Sequence, residues 1–151
     1  MSHTGLQLPR PDEAPLEEGA GVHTSSRRLL FIEDDDATRR ALAEALAADG
    51  FHVVTAAHGR EALEFLRAGL RPAAILLDVM MPVMDGWDFR YIQLNDPALR
   101  NIPVLLVTAS GFSPETIRKQ FGDVELIRKP IRYAALRETL RRVCGPDSSA
   151  A

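Results

Sequence analysis

Five apolar segments with the length of β-strands alternate along the chain with five segments that have the apolar spacing of α-helices. Regular alternation of strand and helix is typical of a parallel sheet, because parallel neighbours need a crossover connection. The strand-like runs are apolar on both sides, as expected when helices cover both faces. The predicted strands are 29–32, 51–55, 73–77, 102–107 and 124–127. The sequence therefore predicts an α/β fold with a doubly wound (βα)5 architecture and a five-stranded parallel sheet.

The predicted helices follow from apolar residues spaced three and four positions apart. The first covers 37–48, with Asp36 as its N-cap and Gly50 as its terminator. The second ends near Gly69, the third ends before Asn95, and the fourth begins at the N-cap Ser113. The apolar positions are Leu42, Ala45 and Leu46 in the first helix, Ala62, Phe65 and Leu66 in the second, Phe89 and Ile92 in the third, and Leu136, Leu140 and Val143 in the fifth.

Length and charge favour one globular domain without a nucleic-acid or membrane partner. The chain has 151 residues and a net charge of −3, so bulk electrostatics attract neither a polyanion nor an anionic bilayer. No apolar run approaches the ~20 residues of a membrane span. The single cysteine, Cys144, suits a reducing cytoplasm. We expect a disordered N-terminal tail over 1–26, a domain over 27–145 and a short C-terminal tail over 146–151.

Polar residues stand at or just beyond the carboxyl ends of four of the five predicted strands. They are Glu33 and Asp34 after the first strand, Asp78 after the third, Thr108 after the fourth and Lys129 after the fifth. Because parallel strands place their carboxyl ends at one edge of the sheet, these side chains should meet there.

Such a cluster fits phosphoryl transfer to a carboxylate. Three crowded acids repel one another, so a cation should lie between them, and Mg²⁺ prefers oxygen ligands. Lys129 would bind a phosphoryl oxygen as a point charge, and Thr108 would donate a hydrogen bond to another.

Each of these residues also has a purely structural interpretation. The acids at 33–36 suit a charged helix N-terminus, and Asp78 suits the cap of a turn. Thr108 could simply end a strand, and Lys129 could be a solvated loop residue. Convergence of all five at one edge favours the functional interpretation. The histidines (His3, His23, His52 and His58) lack ligand spacing and are expected at the surface, and Met80, Met81 and Met84 are expected to pack.

Four motifs in this order resemble the receiver domain of response regulators, the proteins that end two-component phosphorelays. The motifs are Phe31-Ile32-Glu33-Asp34-Asp35, Leu77-Asp78-Val79-Met80-Met81-Pro82-Val83-Met84-Asp85-Gly86, Val107-Thr108-Ala109 and Arg128-Lys129-Pro130. Asp78 lies 44 residues after Asp34, Thr108 lies 30 after Asp78, and Lys129 lies 21 after Thr108. The resemblance covers about residues 27–145 and implies a CheY-like, flavodoxin-like fold.

The resemblance implies a role for each site residue. Asp78 would accept phosphate from a phosphohistidine on a sensor histidine kinase or a phosphotransfer protein. Glu33, Asp34, Asp78 and the backbone carbonyl of Met80 would hold Mg²⁺, whereas Asp35, Asp36 and Asp85 would not. The Lys129–Pro130 bond is usually cis in this family. Such a domain signals rather than catalyses, with at most slow self-dephosphorylation. No motif indicates the downstream protein target or the oligomeric state.

Two departures from the family pattern shape the expected output. Leu126 occupies the position, three residues before the lysine, where the family often has an aromatic ring. Only a few residues follow the last helix, so we expect a single-domain regulator that acts through a partner surface or as a phosphate shuttle. The expected signal route is the loop 109–112 and the face of the fourth helix, fifth strand and fifth helix. We expect that face to carry five cations: Arg118, Lys119, Arg128, Arg137 and Arg141.

Two competing functions remain open at the level of sequence. Asp34-Asp35-Asp36-Ala37-Thr38 matches the D-x-D-x-T motif of haloacid-dehalogenase-type phosphatases, in which Asp34 would be the nucleophile. Such enzymes need a further acidic pair after the lysine, and only Glu138 and Asp147 follow Lys129. The second alternative is a pseudo-receiver that binds partners without phosphate, against which the complete site argues.

Overall fold

The computed structural model of the protein describes residues 27–81, 83–109 and 111–145. The expected tails at 1–26 and 146–151, together with Pro82 and Ser110, lie outside the described residues. Within the described ranges, five strands and five helices alternate, as predicted. None of the helices in these ranges has the length and apolar composition to cross a membrane.

The strands begin or end within two residues of the predicted positions. They are β1 (Arg28–Ile32), β2 (His52–Ala56), β3 (Ala74–Asp78), β4 (Val104–Thr108) and β5 (Glu125–Arg128). The helices are α1 (Asp36–Ala48), α2 (Gly59–Arg67), α3 (Gly86–Leu94), α4 (Pro114–Phe121) and α5 (Tyr133–Cys144). The apolar runs end at Leu77 and Val107, but backbone pairing continues one residue further. Asp78 and Thr108 are therefore the last residues of their strands.

All neighbouring strands are parallel, in the order β2-β1-β3-β4-β5. In this register Ile32 lies opposite Leu77, and Asp78 lies opposite Val107. The carboxyl ends of β1, β3, β4 and β5 consequently meet at one edge. The doubly wound fold predicted from the alternation of elements is confirmed.

The sheet separates two apolar cores, because successive side chains of a strand point to opposite faces. Leu30 and Ile32 of β1 belong to the core that contains Phe89 of α3 and Phe121 of α4. The other core lies on the opposite face of the sheet and contains Leu29, Phe31, Leu46 of α1 and Leu140 of α5. Helices α2, α3 and α4 therefore cover one face of the sheet, and α1 and α5 cover the other.

Helix α1 begins one residue earlier than predicted, and its N-cap is Asp35, so the assignment to Asp36 was wrong. The carboxylate of Asp35 accepts hydrogen bonds from the backbone N–H and the hydroxyl of Thr38, at 2.8 and 2.6 Å. These bonds lower the pKa of Asp35. Asp35 caps because Thr38, three residues on, supplies both donors. Gly50 follows the helix with φ of +94°, as expected for a terminator.

His58 was expected only at the surface, but it also caps a helix. Its imidazole Nδ1 accepts a hydrogen bond from the backbone N–H of Glu61 at 3.3 Å and so caps α2. Glu61 Oε1 in turn accepts from the backbone N–H of Ala57 at 2.7 Å. This reciprocal arrangement fixes the loop between β2 and α2, which lies at the same edge as the polar residues.

A buried arginine ties the carboxyl end of α4 to α3. Arg90 is 5% exposed, and its Nε donates to the carbonyl of Phe121 at 2.8 Å. Its Nη1 donates to Gln93 Oε1 at 2.8 Å, and Gln93 Nε2 donates to the carbonyls of Leu99 and Ile102. Burial lowers the pKa of Arg90. One end of α4 is thus anchored, whereas its other end follows the loop after β4.

Candidate functional site

The acids predicted at the carboxyl edge come together. Glu33, directly after β1, is 1% exposed, and Asp78, at the end of β3, is 4% exposed. Asp34 is exposed and contributes one carboxylate oxygen that lies within 4.8 Å of an oxygen from each of the other two. Three negative charges therefore share one small volume, two of them removed from solvent.

Lys129 reaches this volume from the loop after β5. Its Nζ lies 3.3 Å from Glu33 Oε1 and 3.5 Å from Asp78 Oδ2. The backbone N–H of Lys129 donates to the carbonyl of Thr108 at 2.9 Å, which fixes the start of the loop. The Lys129–Pro130 bond is cis, as the resemblance implied. The side chain is 28% exposed, so most of it is covered.

Thr108 is the last residue of β4 and is 1% exposed. Because Val107 pairs with Asp78, Thr108 stands one residue beyond the acid on the neighbouring strand. Its position agrees with the predicted one, at the edge where the other site residues meet.

Burial and mutual repulsion disturb the ionisation of the buried acids. Burial raises the pKa of Asp78, an effect that the charge of Lys129 partly offsets. Burial likewise raises the pKa of Glu33, and the charge of Asp78 adds to the increase. For Lys129, burial alone would lower the pKa, but the charges of Asp78 and Glu33 outweigh it and the pKa is raised. Both carboxylates are thus easier to ionise when more positive charge is present.

The cluster has the donor set that a hard dication requires. Three carboxylates and one ammonium sum to a formal charge of −2, which a single Mg²⁺ would balance. Glu33 Oε1 is buried, and apart from the Lys129 ammonium 3.3 Å away it meets no hydrogen-bond donor among the described residues. A buried carboxylate oxygen that faces so few donors is the kind of atom that a metal ion stabilises. Glu33, Asp34 and Asp78 therefore fit the predicted metal site.

The loop after Asp78 is held close to the strand. The backbone N–H of Met80 donates to Asp78 Oδ1 at 3.4 Å, so the main chain folds back over the carboxylate. The N–H of Gly86 donates to the carbonyl of Val79 at 2.8 Å. A Cβ on Gly86 would lie 2.8 Å from the carbonyl oxygen of Asp78 and from the Cα of Val79. Only glycine permits this approach.

The methionines of this loop divide into two groups. Met81 and Met84 pack against the apolar core under α2 to α4, as expected. Met80 is 64% exposed and does not pack against the core that contains Met81 and Met84, so the expectation that it packs was wrong. Asp85 caps α3 by accepting from the backbone N–H of Asp88 at 3.0 Å, a role in the turn rather than in the acidic cluster.

Arg39 is a supporting residue that the sequence did not reveal. Its Nη1 donates to the carbonyl of Glu33 at 2.8 Å, and its Nη2 pairs with Asp36 one helical turn earlier. This pair fixes the backbone that carries Glu33. The spacing of Asp36 and Arg39 is a visible signal for a helix ion pair, but the contact with Glu33 depends on the turn between β1 and α1.

The predicted basic face is wrong for two of its five cations. Arg137 Nε lies 3.4 Å from Asp49 Oδ2, at the carboxyl end of α1, and Arg141 lines the same region. The α5 residue that faces β5 is Arg142, whose Nη2 lies 2.8 Å from Glu125 Oε1. Arg118, Lys119 and Arg128 remain exposed on α4 and β5.

Comparison with known proteins identifies the family. The family sequence model for the response regulator receiver domain matches residues 29–141. The transcriptional regulatory protein AfsQ1 of Streptomyces coelicolor is 38% identical over 117 residues, which are 76% of this chain and 50% of that protein. The chain therefore spans about half the length of that relative. The polar-differentiation response regulator DivK of Brucella anthropi is 29% identical over 79% of this chain and 97% of its own.

A solved structure shows the same architecture. The chemotaxis protein CheY4 of Vibrio cholerae superposes with a TM-score of 0.70 at 33% identity, covering 77% of this chain and 97% of that one. The region that the family model matches, residues 29–141, contains the four motifs and the acidic cluster described above. The chain belongs to the response-regulator receiver family, in which phosphorylation, Mg²⁺ binding and signalling are typical.

Proposed function

We propose that Asp78 accepts a phosphoryl group from a phosphohistidine on a sensor histidine kinase or a phosphotransfer protein. The observation that carries the proposal is the buried Asp78 carboxylate, 3.5 Å from the Lys129 ammonium and beside the carboxylates of Glu33 and Asp34. An oxygen of Asp78 forms a bond to phosphorus as the bond between phosphorus and the imidazole nitrogen breaks, and that electron pair stays on the imidazole.

The residues around Asp78 have separate roles in this proposal. Glu33, Asp34, Asp78 and the carbonyl of Met80 would hold Mg²⁺. When bound, the ion supplies positive charge that offsets repulsion among the carboxylates and neutralises phosphoryl oxygens. Lys129 binds one phosphoryl oxygen as a point charge, and Thr108 donates a hydrogen bond to another. In this proposal the protein is a phosphoacceptor in the cytoplasm, where ATP is available to the kinase. Its self-dephosphorylation is at most slow.

A small phosphodonor tests this assignment. We expect acetyl phosphate with Mg²⁺ to phosphorylate the chain once, at Asp78, as mapped by mass spectrometry. Asp78→Asn should abolish the product, because an amide is a far weaker nucleophile than a carboxylate. Asp35→Asn is the matched control, since Asp35 caps α1, and it should leave labelling intact. Acyl phosphate at Asp34 would instead favour the phosphatase-like alternative.

The proposed output is a change in the loop 109–112 and in α4, which a partner protein reads. Leu126 is half-buried and lines a cavity of about 140 Å³ between α4 and β5, so it can repack but cannot act as a rotating ring. Phe112 of the loop meets Trp87 of α3 edge-on at 5.4 Å, and Trp87 packs on Phe121 at 4.2 Å. Movement of the loop therefore changes the surroundings of Trp87.

Trp87 is the sole tryptophan, so its emission reports this route directly. We expect phosphorylation at Asp78 to change the emission, and Phe112→Leu to remove most of the change while labelling by mass is retained. Amide exchange with and without a phosphoryl mimic should show its largest differences over residues 109–119. Differences confined to α1 and α2 would refute the route while leaving phosphorylation at Asp78 intact.

The part of the chain that the structure describes contains one receiver domain and no second folded unit. We propose that this domain acts through a protein partner or as a phosphate shuttle. The exposed cations Arg118, Lys119 and Arg128 favour a partner with an acidic surface.

A further inference from the structure

Three arginines converge at the sheet edge opposite Asp78. Arg27 precedes β1, and Arg137 and Arg141 lie one turn apart on α5. Together with Asp49 and Phe51 they line a cavity of about 80 Å³. We propose that this cavity is a binding site for a phosphate group, either inorganic phosphate or the end of a small phosphate monoester.

Arg27 is held in place from two sides. Its Nη2 donates to the carbonyl of Asp49 at 2.6 Å, and its guanidinium carbon lies 4.1 Å from the centroid of the Phe51 ring. A guanidinium that stacks on a ring and bonds through one edge has lost most of its rotamer freedom before any ligand arrives. The Arg27 side chain is therefore already ordered in the free protein, and ligand binding costs little further side-chain entropy.

Among the described residues that line this cavity, positive charges outnumber negative ones. Arg137 Nε lies 3.4 Å from Asp49 Oδ2, and the same carboxylate accepts a hydrogen bond from the Tyr133 hydroxyl. Three guanidinium groups and one carboxylate sum to a formal charge of +2. Within residues 27–81, 83–109 and 111–145, Arg141 forms no ion pair. Arg27 and Arg137 both contact Asp49 at the carboxyl end of α1, so a structural role in ending that helix accounts for them. It does not account for Arg141.

The chemistry of the lining selects a tetrahedral oxyanion. Planar guanidinium forks bind phosphate oxygens through paired hydrogen bonds, and phosphate carries enough charge to balance the site. A cavity of about 80 Å³ holds several waters or one such group, but no larger part of a ligand. The rest of a monoester would remain in solvent. The site is remote from Asp78 and does not depend on the proposed phosphotransfer.

The test is a titration of the ¹⁵N-labelled full chain with inorganic phosphate, without Mg²⁺ and at constant ionic strength set by chloride. We expect saturable shifts of the backbone amides around Arg27, Gly50 and Arg141. Adenosine 5′-monophosphate, in a second arm, should shift the same amides if the ligand is a monoester. Tighter binding of inorganic phosphate would identify the free anion as the ligand.

A pair of neighbouring arginines supplies the matched control. Arg141→Gln should weaken phosphate binding by about fivefold or more, the effect expected for one lost charge-assisted contact. Arg142→Gln removes the same charge one residue away, where the side chain pairs with Glu125, and should change binding by less than about twofold. Equal weakening by both variants would show a bulk charge effect and overturn the proposal. Shifts restricted to residues 78–81 and 108–109, or shifts that never saturate, would also overturn it.

Discussion

At the scale of the residue, Val83 is held in a backbone conformation that its side chain opposes. Its φ is +65°, in the left-handed region, and it is 65% exposed, so little packing compensates. The left-handed region costs an L-residue about 1–2 kcal/mol, and a β-branched side chain is especially rare there. The loop beside Asp78 therefore stores strain next to the proposed site, as loops at functional sites often do.

Val83→Gly should raise the free energy of unfolding by about 0.5–1 kcal/mol. Relief of the left-handed strain outweighs the greater freedom that glycine adds to the unfolded chain. Urea denaturation measures the change. Val83→Ala, which keeps a Cβ and much of the strain, is the control and should give a smaller gain. A lower free energy of unfolding in the glycine variant would mean that contacts of the Val83 side chain stabilise the fold by more than the strain costs.

Cys144, at the end of α5, should react slowly with alkylating reagents. Burial raises the pKa of its thiol to about 11, from an ordinary value of 9.0. At pH 8 the folded protein then holds roughly 100-fold less thiolate than the unfolded chain, and thiolate is the reactive form. A thiol with a raised pKa contributes stability below pH 9 that is lost as the pH rises through about 11. Iodoacetamide labelling in native buffer and in urea tests this, and equal rates would contradict the burial.

At the scale of the element, the packing of α3 on the end of β3 positions Asp78. Gly86→Ala would place a Cβ against two backbone atoms that cannot move aside, at 2.8 Å. We expect a loss of about 1–3 kcal/mol in the free energy of unfolding and slower labelling by acetyl phosphate. Gly111→Ala is the matched control, because a Cβ there meets no atom within 4 Å, and it should be nearly neutral. Equal effects of the two variants would argue against the close approach.

The elements were predictable from sequence because their signals are local. Apolar runs identify strands, and Ser113-Pro114-Glu115 identifies the start of α4, whatever the rest of the chain does. The edge shared by Glu33, Asp78 and Lys129 was also predictable, since the alternation of strand and helix makes the sheet parallel.

Other features depend on how elements face one another, which local sequence does not determine. The rotation of α5 places Arg137 beside Asp49 and Arg142 beside Glu125. The burial of Arg90 depends on the carboxyl end of α4, 31 residues away in the chain. The choice of Asp35 over Asp36 as the N-cap depends on which carboxylate reaches Thr38 after the turn from β1. In each case tertiary geometry decides between residues that the sequence leaves equivalent.

At the scale of the whole molecule, the buried acids of the proposed site destabilise the fold at neutral pH. The pKa values of Glu33 and Asp78 are raised above their ordinary values of 4.5 and 3.8, in both cases chiefly by burial. An acid with a raised pKa stabilises the fold below its unfolded value, and this contribution is lost as the pH rises through the folded value. Without a metal ion, the domain at neutral pH therefore carries an electrostatic cost that Mg²⁺ would relieve.

Asp34→Asn should raise the melting temperature in the absence of Mg²⁺, because it removes one of three repelling charges. It should also reduce the increase that Mg²⁺ produces, since a ligand is lost. Thermal unfolding with Mg²⁺ and with a chelator measures both effects. Glu64→Gln, which removes an exposed charge on α2, is the control and should alter neither value. An unchanged response of the Asp34 variant to Mg²⁺ would refute its assignment as a ligand.

The environment of Lys129 has a practical consequence, because the chain contains only one other lysine, Lys119. Lys119 is exposed on α4, whereas Lys129 is mostly covered and paired with two carboxylates that raise its pKa. Amine-directed reagents attack the uncharged form, so at neutral pH they modify the side chain of Lys119 ahead of that of Lys129. Among the lysine side chains, a dye or a surface tether is thus directed to α4 and away from the acidic cluster.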